Sequence, residues 1–183
     1  MGKVFEEITA ELAQWIGQQH MFFVASAPLA QSGLVNCSPK GMDSFRVVAL
    51  GEVAYLDLTG SGIETIAHVR ENGRIVFMFC ALSDSPKIVR LHGAGAVHTP
   101  KSARWESLNA LFPDHAGVRA IITAQISRIS DSCGFAVPIF EFKQDRDILK
   151  KSHIAKGEAA LQEYRQRKNA LSLDGLPGLD EVT

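Results

Sequence analysis

Apolar positions follow helical spacing in a few short segments of the chain, and in most others they form the runs or alternation typical of β-strands. An opening segment with one apolar face predicts a first helix that ends near Gly17. A second helix is predicted between Ser61 and Gly73, and a third opens at Pro100. A polar helix is predicted over 147–170, followed by a tail that glycine and proline keep irregular.

The strands are predicted between these helices, where short apolar or alternating runs occur. They cover 21–27, 34–38, 45–50, 53–58, 74–82, 87–97, 122–127 and 137–142. Because they come mostly in adjacent runs, without regular βαβ alternation, the order favours a closed antiparallel barrel over a parallel sheet. The predicted fold class is mainly β, within α+β, with a few peripheral helices.

The composition allows one sizeable globular domain and excludes several classes of partner. Hydrophobic residues make up 46% of 183 positions, which is typical of a packed protein. The net charge is −1, from 19 basic and 20 acidic residues without a Lys/Arg block, so no nucleic-acid partner is predicted. No apolar run reaches the roughly 18 residues of a membrane span. The first residues enter an amphipathic pattern at once, so neither a membrane partner nor a signal peptide is predicted.

The three cysteines, Cys37, Cys80 and Cys133, are far apart, and none belongs to a Cys-x-x-Cys pair. This usage favours a reducing cytoplasm and argues against a disulfide framework or a zinc site. We therefore predict a cytoplasmic protein with no bound metal. The histidines show no His-Glu-x-x-His spacing, and we interpret them as solvated or hydrogen-bonded side chains.

A Gly/Ser turn between a buried strand and a helix is the most informative feature of the chain. It reads Thr59-Gly60-Ser61-Gly62 after the strand Val53–Leu58. Ser61 and Glu64 lie three positions apart, as a capping box requires. The N–H groups of the first helical turn, next to small residues, are suited to bind a phosphate group. The turn therefore predicts a protein that holds a phosphorylated small molecule.

A second candidate is Asn36-Cys37-Ser38-Pro39-Lys40-Gly41, where polar groups and a cation follow an apolar strand end. Such loops often carry binding sites, although an ordinary turn with a solvated Lys40 is an equal alternative for this segment alone. The nearby phosphate-type turn favours the ligand interpretation. Gly93-Ala94-Gly95 is interpreted as a bend in a strand, because position 98 is histidine where a dinucleotide motif needs a third glycine.

Four segments of the sequence follow one another in the same order as in the pyridoxamine 5′-phosphate oxidase-like family of FMN-binding split β-barrels, and the chain resembles that family. They are Ser38-Pro-Lys-Gly41, the strand and turn Tyr55-Leu-Asp-Leu-Thr-Gly-Ser61, Arg70-Glu-Asn-Gly73, and Lys87-Ile-Val-Arg-Leu-His-Gly93. The resemblance covers about residues 20–142. Residues 132–138, Lys168-Asn169 and 172–177 also resemble an uncharacterised subgroup of relatives. We predict an FMN-binding split-barrel domain over 1–142, with 143–183 as its C-terminal helical extension and tail.

The resemblance implies a homodimer with FMN at the subunit interface. It places the FMN phosphate near Ser38, Lys40, Thr59, Ser61 and Gly62. It places Asn36, Asp57 and Leu58 along the same wall, near the flavin ring, and Arg90 on a strand that lines the cofactor in relatives.

The chain departs from the true oxidases at two places. An Arg-Lys pair usually follows the serine of the turn, whereas this chain has Gly62 and Ile63. The later Trp and Arg that serve flavin and pyridoxine-phosphate binding have no evident match. The departures favour FMN binding over oxidation of pyridoxamine 5′-phosphate. Gly134 and Phe135 are candidates to line an opening for another small-molecule substrate, and a core role is an equal alternative for Phe135.

The leading hypothesis is an FMN-dependent oxidoreductase whose substrate and catalytic residues the sequence does not identify. The flavin itself would carry the redox chemistry, so no side-chain acid or base is assigned. The alternative is a non-catalytic protein that binds flavin, haem or deazaflavin. Such a protein would serve as a carrier or in a stress response.

Overall fold

The computed structural model describes residues 2–179, which form one antiparallel sheet with four helices. The strands are β1 Val4–Phe5, β2 Phe22–Ser26, β3 Asn36–Lys40, β4 Phe45–Ala49, β5 Glu52–Leu58, β6 Arg74–Cys80, β7 Ile88–His98 and β8 Val118–Ser132. The helices are α1 Ala10–Gly17, α2 Glu64–Asn72, α3 Trp105–Asn109 and α4 Ile148–Lys168. The α+β split-barrel fold predicted from the sequence is confirmed.

The sheet follows the order β3-β2-β6-β7-β8-β5-β4, and β1 pairs with β8 outside this path. Every ladder among the described residues is antiparallel, including the long β7–β8 pair. The sheet is not closed, because β3 and β4 remain its two edges, and this is compatible with the predicted split barrel. Residues 41–44 connect these edges directly, with Met42 and Asp43 at positive φ, and no ladder joins them within residues 2–179.

The main core lies between the sheet and helices α1 and α2. It is rich in aromatic rings: Phe22 packs edge-on against Phe45 and Tyr55 at centroid distances of 5.0 and 5.9 Å. A second cluster places Leu108 and Phe112 over Ala54, Leu56 and Ile121 on the other side of the sheet. Burying such large side chains supplies much of the favourable free energy of folding. The two clusters fix β5 between them, and with it the turn that follows β5.

The sequence predictions are wrong for several element boundaries. Val4–Phe5 pairs with β8 instead of opening the first helix, which begins at Ala10 after the N-cap Thr9. The helix predicted to open at Pro100 begins later and is shorter than predicted: α3 covers only Trp105–Asn109. The helix α4 is interrupted at Gly157, which has non-helical dihedral angles.

The predicted strand over 137–142 is also absent from the structure, where 134–147 has no regular element. Its apolar side chains are largely exposed: Phe135, Ile139, Phe140 and Phe142. Phe140 N donates to Leu82 O, and the Phe142 ring stacks on His20 at a centroid distance of 3.6 Å. An apolar run alone does not show whether a neighbouring strand pairs with it.

Candidate phosphate-binding site

One face of β3 carries the polar residues of the candidate site. Strand alternation places Asn36, Ser38 and Lys40 together, partly buried, while Cys37 and Pro39 are exposed. Asn36 Nδ2 donates to Thr65 Oγ1 in the first turn of α2 at 2.9 Å, and Ser38 Oγ donates to Asn36 Oδ1 at 3.2 Å. The structure therefore brings the two segments singled out in the sequence, β3 and the start of α2, into direct contact.

Asp57, at the end of β5, connects this face to the interior. The carboxylate is 1% exposed. Lys40 Nζ donates to its Oδ1 at 3.4 Å, and Arg119 Nε donates to its Oδ2 at 2.7 Å. Burial by itself would raise the pKa of Asp57, but the Arg119 and Lys40 cations together lower it, so the carboxylate stays charged. The Lys40 side chain is 25% exposed, and Asp57 connects it to Arg119, which binds the turn.

Two buried side chains bind the carbonyl groups of the 59–62 turn from the protein interior. Arg119 donates from Nη1 to Gly60 O at 3.2 Å and from Nη2 to Gly62 O at 2.7 Å. Asn169, just after α4, donates from Nδ2 to Gly60 O at 2.9 Å and to Ser61 O at 3.4 Å. Arg119 Nη1 also donates to Asn169 Oδ1 at 2.8 Å, so the two side chains act as one unit.

This arrangement determines where the N–H groups of the turn point. All described peptide bonds are trans, and in a trans peptide the carbonyl and the following N–H point in opposite directions. Because the carbonyls of 60, 61 and 62 face Arg119 and Asn169, the N–H groups of Ser61, Gly62 and Ile63 face away from them. Within residues 2–179 none of these N–H groups donates to a protein acceptor; Ser61 and Gly62 are exposed, whereas Ile63 is 1% exposed, so only the first two N–H groups are open to a ligand. They precede helix α2, where the helix dipole favours an anion.

Thr59 lies under the turn, where α4 packs. Its hydroxyl donates to Gly117 O at 2.8 Å and accepts a hydrogen bond from Arg165 Nε at 2.8 Å. The ring nitrogens of His153 lie 3.0 Å from Thr59 O and 2.9 Å from Ala116 O. Thr59 is 3% exposed, so its hydroxyl serves the contact with α4.

Two expectations about the turn are corrected by these contacts. The capping box is not formed: the N-cap of α2 is Ile63, without a side-chain cap, because Ser61 is exposed two positions earlier. Lys40 is the one cation near the turn that the sequence analysis named, yet Arg119 and Arg165 also lie against it. Neither arginine was found from the sequence, although an arginine within the apolar run that begins β8 is a usable sign of a buried ion pair.

The remaining predicted residues take no part in the side-chain hydrogen bonds of this cluster. Leu58 packs against the second core cluster. Arg90, on β7, donates from Nη1 to Ser132 Oγ at 3.1 Å. Gly134 has a φ of +64° and lies against Lys87, and Phe135 is 80% exposed. No hydrogen bond or ion pair connects these residues to Lys40 or to the 59–62 turn within the described part of the chain.

Comparison with known proteins decides the family. The sequence is 37% identical to the pyridoxamine 5′-phosphate oxidase family protein ustO of Aspergillus flavus over 193 aligned positions, which cover 96% of this chain and 77% of that protein. The chain belongs to the pyridoxamine 5′-phosphate oxidase family. A scan against protein-family models finds none that matches.

Solved structures share the fold of this family member. HupZ of Group A Streptococcus matches with a TM-score of 0.55 and 24% identity, over 67% of this chain and 91% of that one. An FAD-binding protein of Mesorhizobium loti matches with a TM-score of 0.50 and 12% identity, over 72% of this chain and 96% of that one. No helix within residues 2–179 is long and apolar enough to span a membrane.

Proposed function

We propose that this protein is an FMN-dependent oxidoreductase that works as a homodimer, with the flavin between two copies of the chain. The observation that carries the proposal is the 59–62 turn, whose carbonyls are bound by buried side chains while the exposed N–H groups of Ser61 and Gly62 have no acceptor among residues 2–179. These N–H groups, the α2 N-terminus and the Lys40 ammonium suit a phosphate monoester. Family membership and a shared fold with an FAD-binding protein support a flavin as the rest of the ligand.

The predicted residues divide into two groups in this proposal. Lys40, Ser38, Ser61 and Gly62 are accessible from the surface and contact the phosphate. Asp57 and Thr59 are almost completely buried, so they position Lys40 and the turn instead of touching the ligand. Asn36, Leu58 and Arg90 are assigned to the flavin ring, and Gly134 and Phe135 to the substrate opening, with Phe135 available to a partner subunit because of its exposure.

Bound FMN would supply the hydride chemistry, while the chain binds and orients it. The substrate is not pyridoxamine 5′-phosphate. Ile63, which stands where the true oxidases have a cation, is 1% exposed and packs in the main core. A second phosphate would need donors of its own, because an uncompensated anion in a pocket is costly.

The test has two stages. The absorption spectrum of freshly purified protein and titration with FMN first establish whether flavin binds; absence of binding by both measures overturns the proposal. Anaerobic reduction of the bound flavin by a nicotinamide cofactor, followed by a substrate screen, then separates an enzyme from a carrier. Bound flavin that no nicotinamide cofactor reduces and no substrate reoxidises would contradict the oxidoreductase assignment.

A further inference from the structure

The C-terminal extension contributes directly to the candidate phosphate site. Asn169 is the residue after α4, and its side chain is completely buried against the turn, although 109 positions separate it from Gly60. Its amide uses both ends: Nδ2 donates to Gly60 O and Ser61 O, while Oδ1 accepts from Arg119 Nη1. No other polar side chain of α4 or the tail reaches these two carbonyls among residues 2–179.

We propose that Asn169 is a positioning residue for phosphate binding, which it serves by holding the turn's carbonyls inward so that the opposite N–H groups face the ligand. The proposal rests on the proposed function, because it concerns the same phosphate. Arg119 alone leaves Ser61 O unbound, since among the carbonyls of the turn its Nη atoms donate only to Gly60 O and Gly62 O. Without Asn169, the 61–62 peptide would be free to rotate, and its N–H would lose a fixed direction.

The backbone and the side chain of Asn169 have separate tasks, which makes the proposal testable. Its backbone O accepts from Leu179 N at 3.1 Å, and the next residue, Ala170, accepts from Gly178 N at 2.8 Å. Asn169→Ala therefore keeps the contacts that fold the tail back and removes only the amide. Asn169→Asp keeps an oxygen for Arg119 but replaces the donor that faces Gly60 O and Ser61 O with an acceptor.

The experiment compares FMN with riboflavin, which has the same ring system without the phosphate. Flavin-fluorescence titrations of the full chain measure both affinities, and thermal unfolding checks that each variant is folded. We expect both variants to lose ~10-fold or more in FMN affinity, about the net contribution of one well-made hydrogen bond, with riboflavin affinity unchanged. Ser172→Ala is the matched control, because Ser172 is buried in the same tail but its hydroxyl accepts only from Leu176 N among the described residues.

The outcomes are distinct. If the wild-type protein binds neither flavin, the proposed function fails first. If it binds FMN and a folded Asn169 variant keeps that affinity within about twofold, the positioning role is overturned. An equal loss for FMN and riboflavin, or the same selective loss in Ser172→Ala, would show a general structural effect and would also overturn it. Should Asn169→Ala not fold, Asn169→Asp, which retains the volume and the Arg119 contact, decides the question.

Discussion

Arg119 donates from Nε to Asp57 Oδ2 over 2.7 Å, and both side chains are almost completely buried. The pair lies where β5 and β8 run side by side, with Asp57 opposite Ala120. Because the same guanidinium binds the carbonyls of Gly60 and Gly62, this ion pair connects the strand to the turn after it. The pair therefore bears on both the stability of the fold and the shape of the candidate site.

Replacing Asp57 by asparagine should lower the free energy of unfolding at neutral pH by about 3–5 kcal/mol, because Arg119 is left buried without its counterion. The cations lower the folded-state pKa of Asp57 below its unfolded value, which is about 3.9. The charged pair thus stabilises the wild type above about pH 4, and this contribution is lost as the pH falls through the folded pKa. Urea unfolding between roughly pH 7 and 2 should show the difference between wild type and variant shrinking; a constant difference would contradict the assignment.

Lys40→Ala should weaken FMN binding by ~10- to 100-fold, since a charge-assisted contact contributes on the order of 1.5–3 kcal/mol. Arg119 and Arg165 do not replace it, because their guanidinium groups are held inside the protein by Asp57 and Glu158. Lys151→Ala is the control, since this lysine is 75% exposed and among the described residues pairs only with Asp147, the N-cap of α4. Titration with FMN measures both variants, and unchanged affinity in Lys40→Ala would exclude Lys40 from the phosphate site.

The three cysteines should react with a thiol reagent in two phases. Cys37 and Cys133 are exposed, whereas Cys80 is partly covered on β6. Burial raises the pKa of the Cys80 thiol, which lowers its thiolate fraction, and the thiolate is the reactive form. Mass spectrometry after limited alkylation should find Cys37 and Cys133 labelled first. Early labelling of Cys80 would mean that β6 is more accessible in solution than the structure shows.

Flavin-loaded protein should not efficiently oxidise pyridoxamine 5′-phosphate. Gly62 supplies no cation and Ile63 is in the core, so the turn offers this substrate no basic side chain at either position. The assay follows hydrogen peroxide and pyridoxal phosphate. Turnover in the typical enzyme range of roughly 1–10 per second would show that the chain is an authentic vitamin B6 enzyme despite these departures.

The protein should be a dimer at micromolar concentration in light scattering, with the surface beside β3 at the interface. Leu29, Leu34 and Val35 are 64%, 55% and 75% exposed in the loop that enters this edge strand. A neighbouring set of exposed apolar side chains is typical of an interface. Val35→Asp should shift the equilibrium toward monomer, whereas Leu50→Asp, at a comparably exposed apolar position in the β4–β5 turn, should not. A wild-type monomer would overturn the dimer proposal.

The sequence alone was enough for the features that depend on neighbouring positions. Alternation and short apolar runs predicted the antiparallel α+β fold and most of its strands, because side-chain period is a local property of the backbone. Lys40 and the Thr59–Gly62 turn were singled out as candidates for a similar reason, since strand-end polarity and glycine turns can be read within a few residues. The prediction of a strand over 137–142 was wrong, because an apolar pattern does not show whether other parts of the chain cover those side chains.

The tertiary structure alone decided how the site is built. Arg119 and Asn169 reach the 59–62 turn across 57 to 109 positions, through the β5–β8 register and the docking of α4 and the tail. Side-chain types give no sign of such a contact, because register and helix docking are set by the packing of the whole core. The same packing buried Asp57 and Thr59, which the resemblance had placed at the flavin, so that their side chains support Lys40 and the 59–62 turn.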